Sequence, residues 1–243
     1  MIWTEHMRVN SHDTDYMGIL SPTGIMRMMQ ECANLHVHHC GPSNEQTRKE
    51  GKAFLLSRFV LEVNAPLFTY DELDVQTWGS GGQRLLFNRC YRILRDGKEI
   101  CRAHAVMALI RIADGKLLRQ EDYHPNFTYE PDYETPMDDK INLPRNTQDM
   151  NLLGTFEANY SVCDRNCHMN NTRYGDALLS FVDTKDKYLK KLAIHYVQEA
   201  TMGETMTVYG IGGEEGETLI RTIRPDGQVN CEAKIVMAPI PLQ

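Results

Sequence analysis

Apolar positions along this chain follow two periods, and the periods alternate. From Pro22 to about His38, the residues Ile25, Met28, Met29, Cys32 and Leu35 recur at helical spacing. Ser21-Pro22-Thr23-Gly24 stands before them, offering an N-cap and a proline at the first helical position, so one amphipathic helix is predicted there. Runs suited to strands follow at Ala53–Val63, Glu72–Trp78, Leu85–Arg95 and Glu99–Ile112, with turn residues at Gly79 to Gly82 and at Asp96-Gly97. The stretch Ala103–Ile110 is apolar on both faces, the pattern of an interior strand.

The order then recurs. An alternating stretch at Thr155–Val162 precedes a helix with Tyr174, Leu178, Phe181 and Val182 on one face, and strand candidates follow at Leu192–Ala200, Glu204–Ile211, Thr218–Arg224 and Gln228–Met237. Between the two series, Pro125, Pro131, Pro136 and Pro144 with several acids have the composition of an extended connection rather than a packed element. The division is therefore an N-terminal domain at 1–122, a linker at 123–150 and a C-terminal domain at 151–243. The repeats align when Asp15-Tyr16-Met17-Gly18-Ile19-Leu20-Ser21-Pro22 is set over Asp164-Arg165-Asn166-Cys167-His168-Met169-Asn170-Asn171, an offset of 164 − 15 = 149 residues. Each half reads as strand, loop, long helix and antiparallel strands. That is an α+β layer in which a helix buries its apolar face on its own sheet.

Composition narrows the setting. Of 243 residues, 42% are hydrophobic and 24% charged, which excludes neither one domain nor two but argues against disorder. No apolar run approaches the roughly 20 residues needed to span a bilayer, and Met1 to His6 lack the pattern of a signal peptide, so a cytoplasmic location and no membrane partner are expected. Seven widely spread cysteines then read as reduced thiols. A formal charge of −7 disfavours nucleic acid as a partner.

The two copies differ in residues capable of chemistry. The second loop carries Asp164, Asn166, His168, Asn170 and Asn171, whereas the first keeps Asp15 and has Ile19 where the histidine falls. A histidine beside a carboxylate and an amide can move protons and polarise a carbonyl. If the loop is extended, alternation places Asp164, Asn166 and His168 on one side and Cys163, Arg165 and Cys167 on the other. The competing reading is that Asp and Asn at a helix entrance only cap backbone N–H groups, the role assigned here to Asn171. His36-x-His38-His39-Cys40 could suggest zinc, but no second ligand pair stands at a recognisable spacing, so no metal and no cofactor are expected.

The stretch Asp164-Arg165-Asn166-Cys167-His168-Met169-Asn170-Asn171-Thr172-Arg173-Tyr174 resembles the active-site segment of the acyl-acyl-carrier-protein (acyl-ACP) thioesterases of plants and bacteria. Leu56-Ser57-Arg58 before the first long strand, Trp78-x-Ser80 at a strand end and the tandem layout extend the resemblance over nearly the whole chain. It implies two tandem hotdog domains forming a pseudo-dimer, each a long helix wrapped by an antiparallel sheet. It also implies hydrolysis of acyl-ACP at a site made of Asp164, Asn166, His168 and a glutamate on the strand after the second helix. Tyr196-Val197-Gln198-Glu199-Ala200 supplies that glutamate as Glu199, with Ala200 in place of the family's usual cysteine. An alanine cannot be a nucleophile, so direct attack by water is expected.

The resemblance further implies that the acyl chain runs into the first domain, where Met17, Met26 and Met29 are the candidate lining residues, although a methionine stripe at helical spacing also suits plain core. Ile19 and Pro66 fall near the positions of His168 and Glu199 in that domain. The acidic carrier protein would need a basic surface, for which Arg84, Arg89, Arg92, Arg95, Lys98 and Arg102 are candidates. An acyl-coenzyme A hydrolase, a hotdog hydratase and a silent acyl-binding protein are the rival readings. Because the repeat already pairs two hotdogs, both a monomer and a homodimer fit.

Overall fold

The computed structural model describes residues 1–131, 137, 138, 140–213 and 216–241. Parts of the predicted linker, 132–136 with its Pro136, and residue 139 lie outside the described residues, as do 214, 215, 242 and 243 of the C-terminal half.

In chain order the elements are β1 (Trp3–Arg8), α1 (Pro22–Cys40), α2 (Asn44–Lys49), β2 (Lys52–Val63), β3 (Glu72–Gly81), β4 (Leu86–Arg95), β5 (Lys98–Arg111), β6 (Leu117–Leu118), β7 (Asn151–Glu157), α3 (Tyr174–Leu179), β8 (Lys187–Tyr196), β9 (Thr205–Gly212), β10 (Thr218–Ile223) and β11 (Val229–Pro239). The strands join into one sheet in the order β1-β3-β4-β5-β2-β8-β11-β10-β9-β7, with the short β6 beside β5. Every pairing is antiparallel. The order is the same in the two halves, read outward from a seam between β2 and β8. β5 is interior, as its two apolar faces require.

The seam carries the symmetry of the molecule. Val60 pairs with Ala193, and Leu61 with Leu192, so the innermost strands of the two halves meet antiparallel. At the edge of the seam Glu62 meets Lys191 at 3.3 Å and Arg102 at 2.7 Å. One apolar core runs through both halves, including Met29, Leu61, Ile93, Leu178, Leu192 and Ile220.

α1 begins where its sequence says it should. Ser21 Oγ accepts from the Gly24 N–H at 3.1 Å, a cap that contributes roughly 1 kcal/mol, and Pro22 occupies the first turn. Ile25, Met26, Met29, Cys32, His36 and Val37 form its buried face. The helix ends at Gly41, whose N–H reaches the Val37 carbonyl with φ 42°. α2 follows, entered through a capping box between Ser43 and Gln46; its polar sequence gave no helical stripe.

The second helix departs from the long one expected. It is a short 3-10 entry at Asn171–Arg173 continued by the six residues of α3. Phe181 and Val182 lie past its end, where their N–H groups bond Leu178 and Leu179 in tight turns. The physical reason is space: Asp183 already turns the chain, accepting from the Lys185 N–H and Lys187 Nζ, and β8 begins at Lys187. Three further expectations change. Ala158–Val162 is loop rather than strand. Leu56-Ser57-Arg58 lies inside β2 at a bulge. The connection after Asp122 is extended but anchored, because Tyr123 packs edge-on against Phe54 and Phe87, and Phe127 against His36.

Candidate active site

The loop carrying Asp164, Asn166 and His168 is a tight turn, not an extended segment. The Asp164 N–H bonds the His168 carbonyl at 2.9 Å, the Cys167 N–H returns to the Asp164 carbonyl at 3.0 Å, and Asp164 Oδ1 accepts from the Asn166 N–H at 2.8 Å. Cys167 closes the turn in the left-handed region at φ 60°. Alternation therefore does not sort these side chains. An Asx turn does, by fixing the backbone through the Asp carboxylate.

The turn is pinned to the segment after β8. The Met169 N–H bonds the Ala200 carbonyl and the Met202 N–H bonds the Cys167 carbonyl, both at 2.8 Å. This lattice brings His168 Nδ1 to 3.2 Å from Glu199 Oε2, with the two side chains 34% and 57% exposed. Glu199 does not belong to a strand, as β8 ends at Tyr196. It lies in a loop held by Asn230, whose carbonyl takes the Val197 and Gln198 N–H groups at 2.9 and 3.0 Å.

That asparagine is the residue sequence reasoning missed. Asn230 is fully buried. Its Nδ2 donates to the Gln198 carbonyl at 2.6 Å and to Tyr174 Oη at 2.9 Å, while its Oδ1 accepts from Thr222 Oγ1 at 2.8 Å. α3, β10 and β11 thus fix the loop bearing Glu199 through one satisfied polar network, a construction that rigidifies what it touches. No signal in the sequence marks it, because Asn230 falls at a polar position of the strand's alternation, in line with Glu232 and Lys234.

Asp164 spends both carboxylate oxygens on Asn166, the second lying 3.4 Å from Asn166 Nδ2. It organises the loop rather than holding the imidazole. Asn166 Oδ1 accepts from Arg48 Nη1 of α2 at 3.0 Å, a contact across the two halves that no local pattern announces. Asn170, not Asn171, is the helix cap, accepting from the Thr172 N–H at 3.0 Å. The Thr172 and Arg173 N–H groups are both taken by Asn170, whereas the Asn166 amide carries two Nδ2 hydrogens, of which Asp164 takes one.

Two thiols nearby are not primed for attack. Burial and then the Asp164 charge push the Cys163 thiol up, and burial pushes Cys231 up to about 12. Ala200 is fully buried and inert. Beside the site the Arg224 hydrogen bond holds the Glu204 carboxyl below its ordinary range, assisted by the Thr201 N–H. His36 is turned into the core instead of standing with His38 and His39. It stacks on Trp3 and lies tilted against Phe127, its Nδ1 faces Arg89 Nη1 at 3.2 Å, and burial together with Arg89 lowers its pKa to about 4.

Of the candidate lining residues, Met26 and Met29 are buried in the core and Met17 packs half-buried against it. The candidate basic surface does not form a continuous patch. Arg89 is buried, Arg92 lies over the Trp78 ring, Arg95 pairs with Asp71 and Arg102 with Glu62. Arg84 and Lys98 are exposed at opposite ends of β4.

A paired hotdog sheet with a histidine and a carboxylate meeting at one of two related loops fits a thioesterase of the hotdog class. The family models agree. The acyl-ACP thioesterase N-terminal domain matches residues 1–122 and the acyl-ACP thioesterase C-terminal domain matches 146–238. The chain belongs to the acyl-ACP thioesterase family and is a thioester hydrolase. Its fold is similar to that of an acyl-ACP thioesterase from Bacteroides thetaiotaomicron VPI-5482, with TM-score 0.84, 23% identity and 98% of each chain covered. It is also similar to the 12:0-ACP thioesterase from Umbellularia californica, with TM-score 0.77, 14% identity, and 98% of this chain and 97% of that one covered. Comparison with curated proteins found no match.

Proposed function

We propose that this chain hydrolyses acyl-ACP to free fatty acid and carrier thiol, as a cytoplasmic enzyme of fatty acid biosynthesis, with Asp164, Asn166, His168 and Glu199 as its site. The observation that carries the reading is the His168–Glu199 pair at 3.2 Å, with Asn166 two residues before His168 on the same turn. Glu199, steadied by His168, takes a proton from water as the water oxygen bonds to the thioester carbonyl carbon. The Asn166 Nδ2 group donates to the oxyanion of the tetrahedral intermediate. The C–S bond then breaks, the carbonyl re-forms, and the proton held by the pair passes to the departing thiolate. Asp164 keeps Asn166 in place throughout.

In this reading 1–122 and 151–243 act as two hotdogs joined by 123–150. The second supplies the chemistry, and the first receives the acyl chain beside Met17, Met26 and Met29. The test is cleavage of acyl-ACP and acyl-coenzyme A series of increasing chain length by wild type and His168→Ala. Cleavage of the carrier series, lost in the variant, is the expected result. Cleavage confined to the coenzyme A series would replace the carrier protein with the nucleotide thioester. Unchanged turnover in His168→Ala would remove the mechanism.

A further inference from the structure

We infer that Arg48, in the half of the chain that lacks the His–Glu pair, is a positioning residue for hydrolysis in the other half, acting through the Asn166 amide. The inference rests on the reading of Asn166 as the oxyanion donor. Asp164 Oδ2, at 3.4 Å from Asn166 Nδ2, is at the long end of hydrogen bonding and would hold the amide loosely by itself. Arg48 Nη1, at 3.0 Å from Oδ1, adds a charge-assisted bond at the other end. A flipped amide would set two N–H donors against a guanidinium, which has no acceptor. Arg48 therefore selects the orientation in which one Nδ2 hydrogen faces Asp164 and the second is left for the substrate carbonyl.

The support behind Arg48 is built to hold it. Ser43 and Gln46 lock the entry to α2 with bonds of 3.2 and 2.7 Å, Asn44 Nδ2 reaches Asn34 of α1 at 2.9 Å, and Thr47 is buried. The contact spans 118 residues of sequence. Arg165, on the same loop as Asn166, also acts on α2, helping Lys49 to keep the Glu45 carboxyl below its ordinary range. The first half thus contributes a charged group to the site as well as shape.

The experiment is steady-state hydrolysis of one acyl-ACP and the matching acyl-coenzyme A by wild type, Arg48→Ala, Arg48→Lys, Asn166→Ala and the Arg48→Ala/Asn166→Ala double variant, with thermal midpoints measured for each. Arg48→Ala is expected to lose on the order of tenfold in kcat on both substrates with little change in KM, the size for one exposed charge-assisted bond. Arg48→Lys should recover part of the loss. In the Asn166→Ala background removing Arg48 should cost nothing further. Wild-type kcat in Arg48→Ala, an equal loss with and without Asn166, or a change in KM for the carrier substrate alone would each overturn the assignment while leaving thioester hydrolysis intact. No turnover by wild type on either substrate would instead remove the proposed function together with this inference.

Discussion

The loops at Asp15 and Asp164 have nearly the same backbone and opposite chemistry. In each, an aspartate accepts the N–H two residues on and donates its own N–H to the carbonyl four residues on, Asp15 to Ile19 at 2.8 Å and Asp164 to His168 at 2.9 Å. Each hangs on an extended segment, Leu20 N–H on the Leu67 carbonyl and Met169 N–H on the Ala200 carbonyl. The offset of that segment, 200 − 67 = 133 residues, sets Pro66 opposite Glu199 as Ile19 is opposite His168. Even the ion pair beyond is repeated, Asp71 with Arg95 and Glu204 with Arg224. The Asx turn is therefore a feature of the fold, and the proposed activity depends on which side chains it displays.

Beneath the loops the contrast continues. Where the second half has Tyr174, Thr222 and Asn230 bonded to one another, the corresponding positions of the first half hold buried Ile25, Ile93 and Ile100. An apolar floor suffices for a loop that has only to close the core. The loop bearing Glu199 is placed by directional bonds.

Making the second loop like the first should have the largest effect. His168→Ile, which copies Ile19, and Glu199→Ala should each fold and lose roughly 10²–10⁴ in kcat, the range for general acid–base groups; turnover of purified variants with normal circular dichroism checks this. Asn230→Ile copies Ile100 but takes the side-chain donor from the Gln198 carbonyl and one partner each from Tyr174 Oη and Thr222 Oγ1, which keep Ala200 and Cys231. It should lower stability by about 2–4 kcal/mol in urea unfolding and reduce turnover as Glu199 loses its anchor.

At the seam, burial works against the Glu62 carboxylate, but Arg102 and Lys191 outweigh it and hold its pKa below the ordinary range. A depressed folded pKa gives stability that is present above the unfolded value and is lost as pH falls through the folded one. Glu62→Gln should therefore cost about 1 kcal/mol near neutral pH, and the gap from wild type should shrink below the ordinary glutamate pKa in a series of urea midpoints. The smallest effect is expected at Cys167, which holds φ 60° where the first loop has Gly18 at φ 73°. Cys167→Gly should relieve left-handed strain and lose chain entropy in return, shifting stability by less than about 1 kcal/mol with turnover near wild type. A collapse of turnover in that variant would point to the thiol.

The tandem repeat, the cap of α1, the interior β5 and the loop offset of 149 residues were legible because short-range periodicity and turn chemistry encode them. The same local patterns put Asp164, Asn166 and His168 in one loop and marked Ile19 as its silent counterpart. They misjudged that loop as extended, because strand alternation was applied to Asp164 and Asn166, residue types that favour an Asx turn over a strand. They also extended the second helix through Phe181 and Val182, since periodicity does not register that Asp183 turns the chain.

What tertiary structure alone decided is which distant groups meet. The distance from His168 to Glu199, the grip of Asn230 on the loop between them and the reach of Arg48 into the site all follow from strand register and from the β2–β8 seam. The sequence by itself determined the elements and the chemistry each loop carries, because those depend on neighbours along the chain. The working arrangement depends on neighbours across the sheet, which only the packed core brings together.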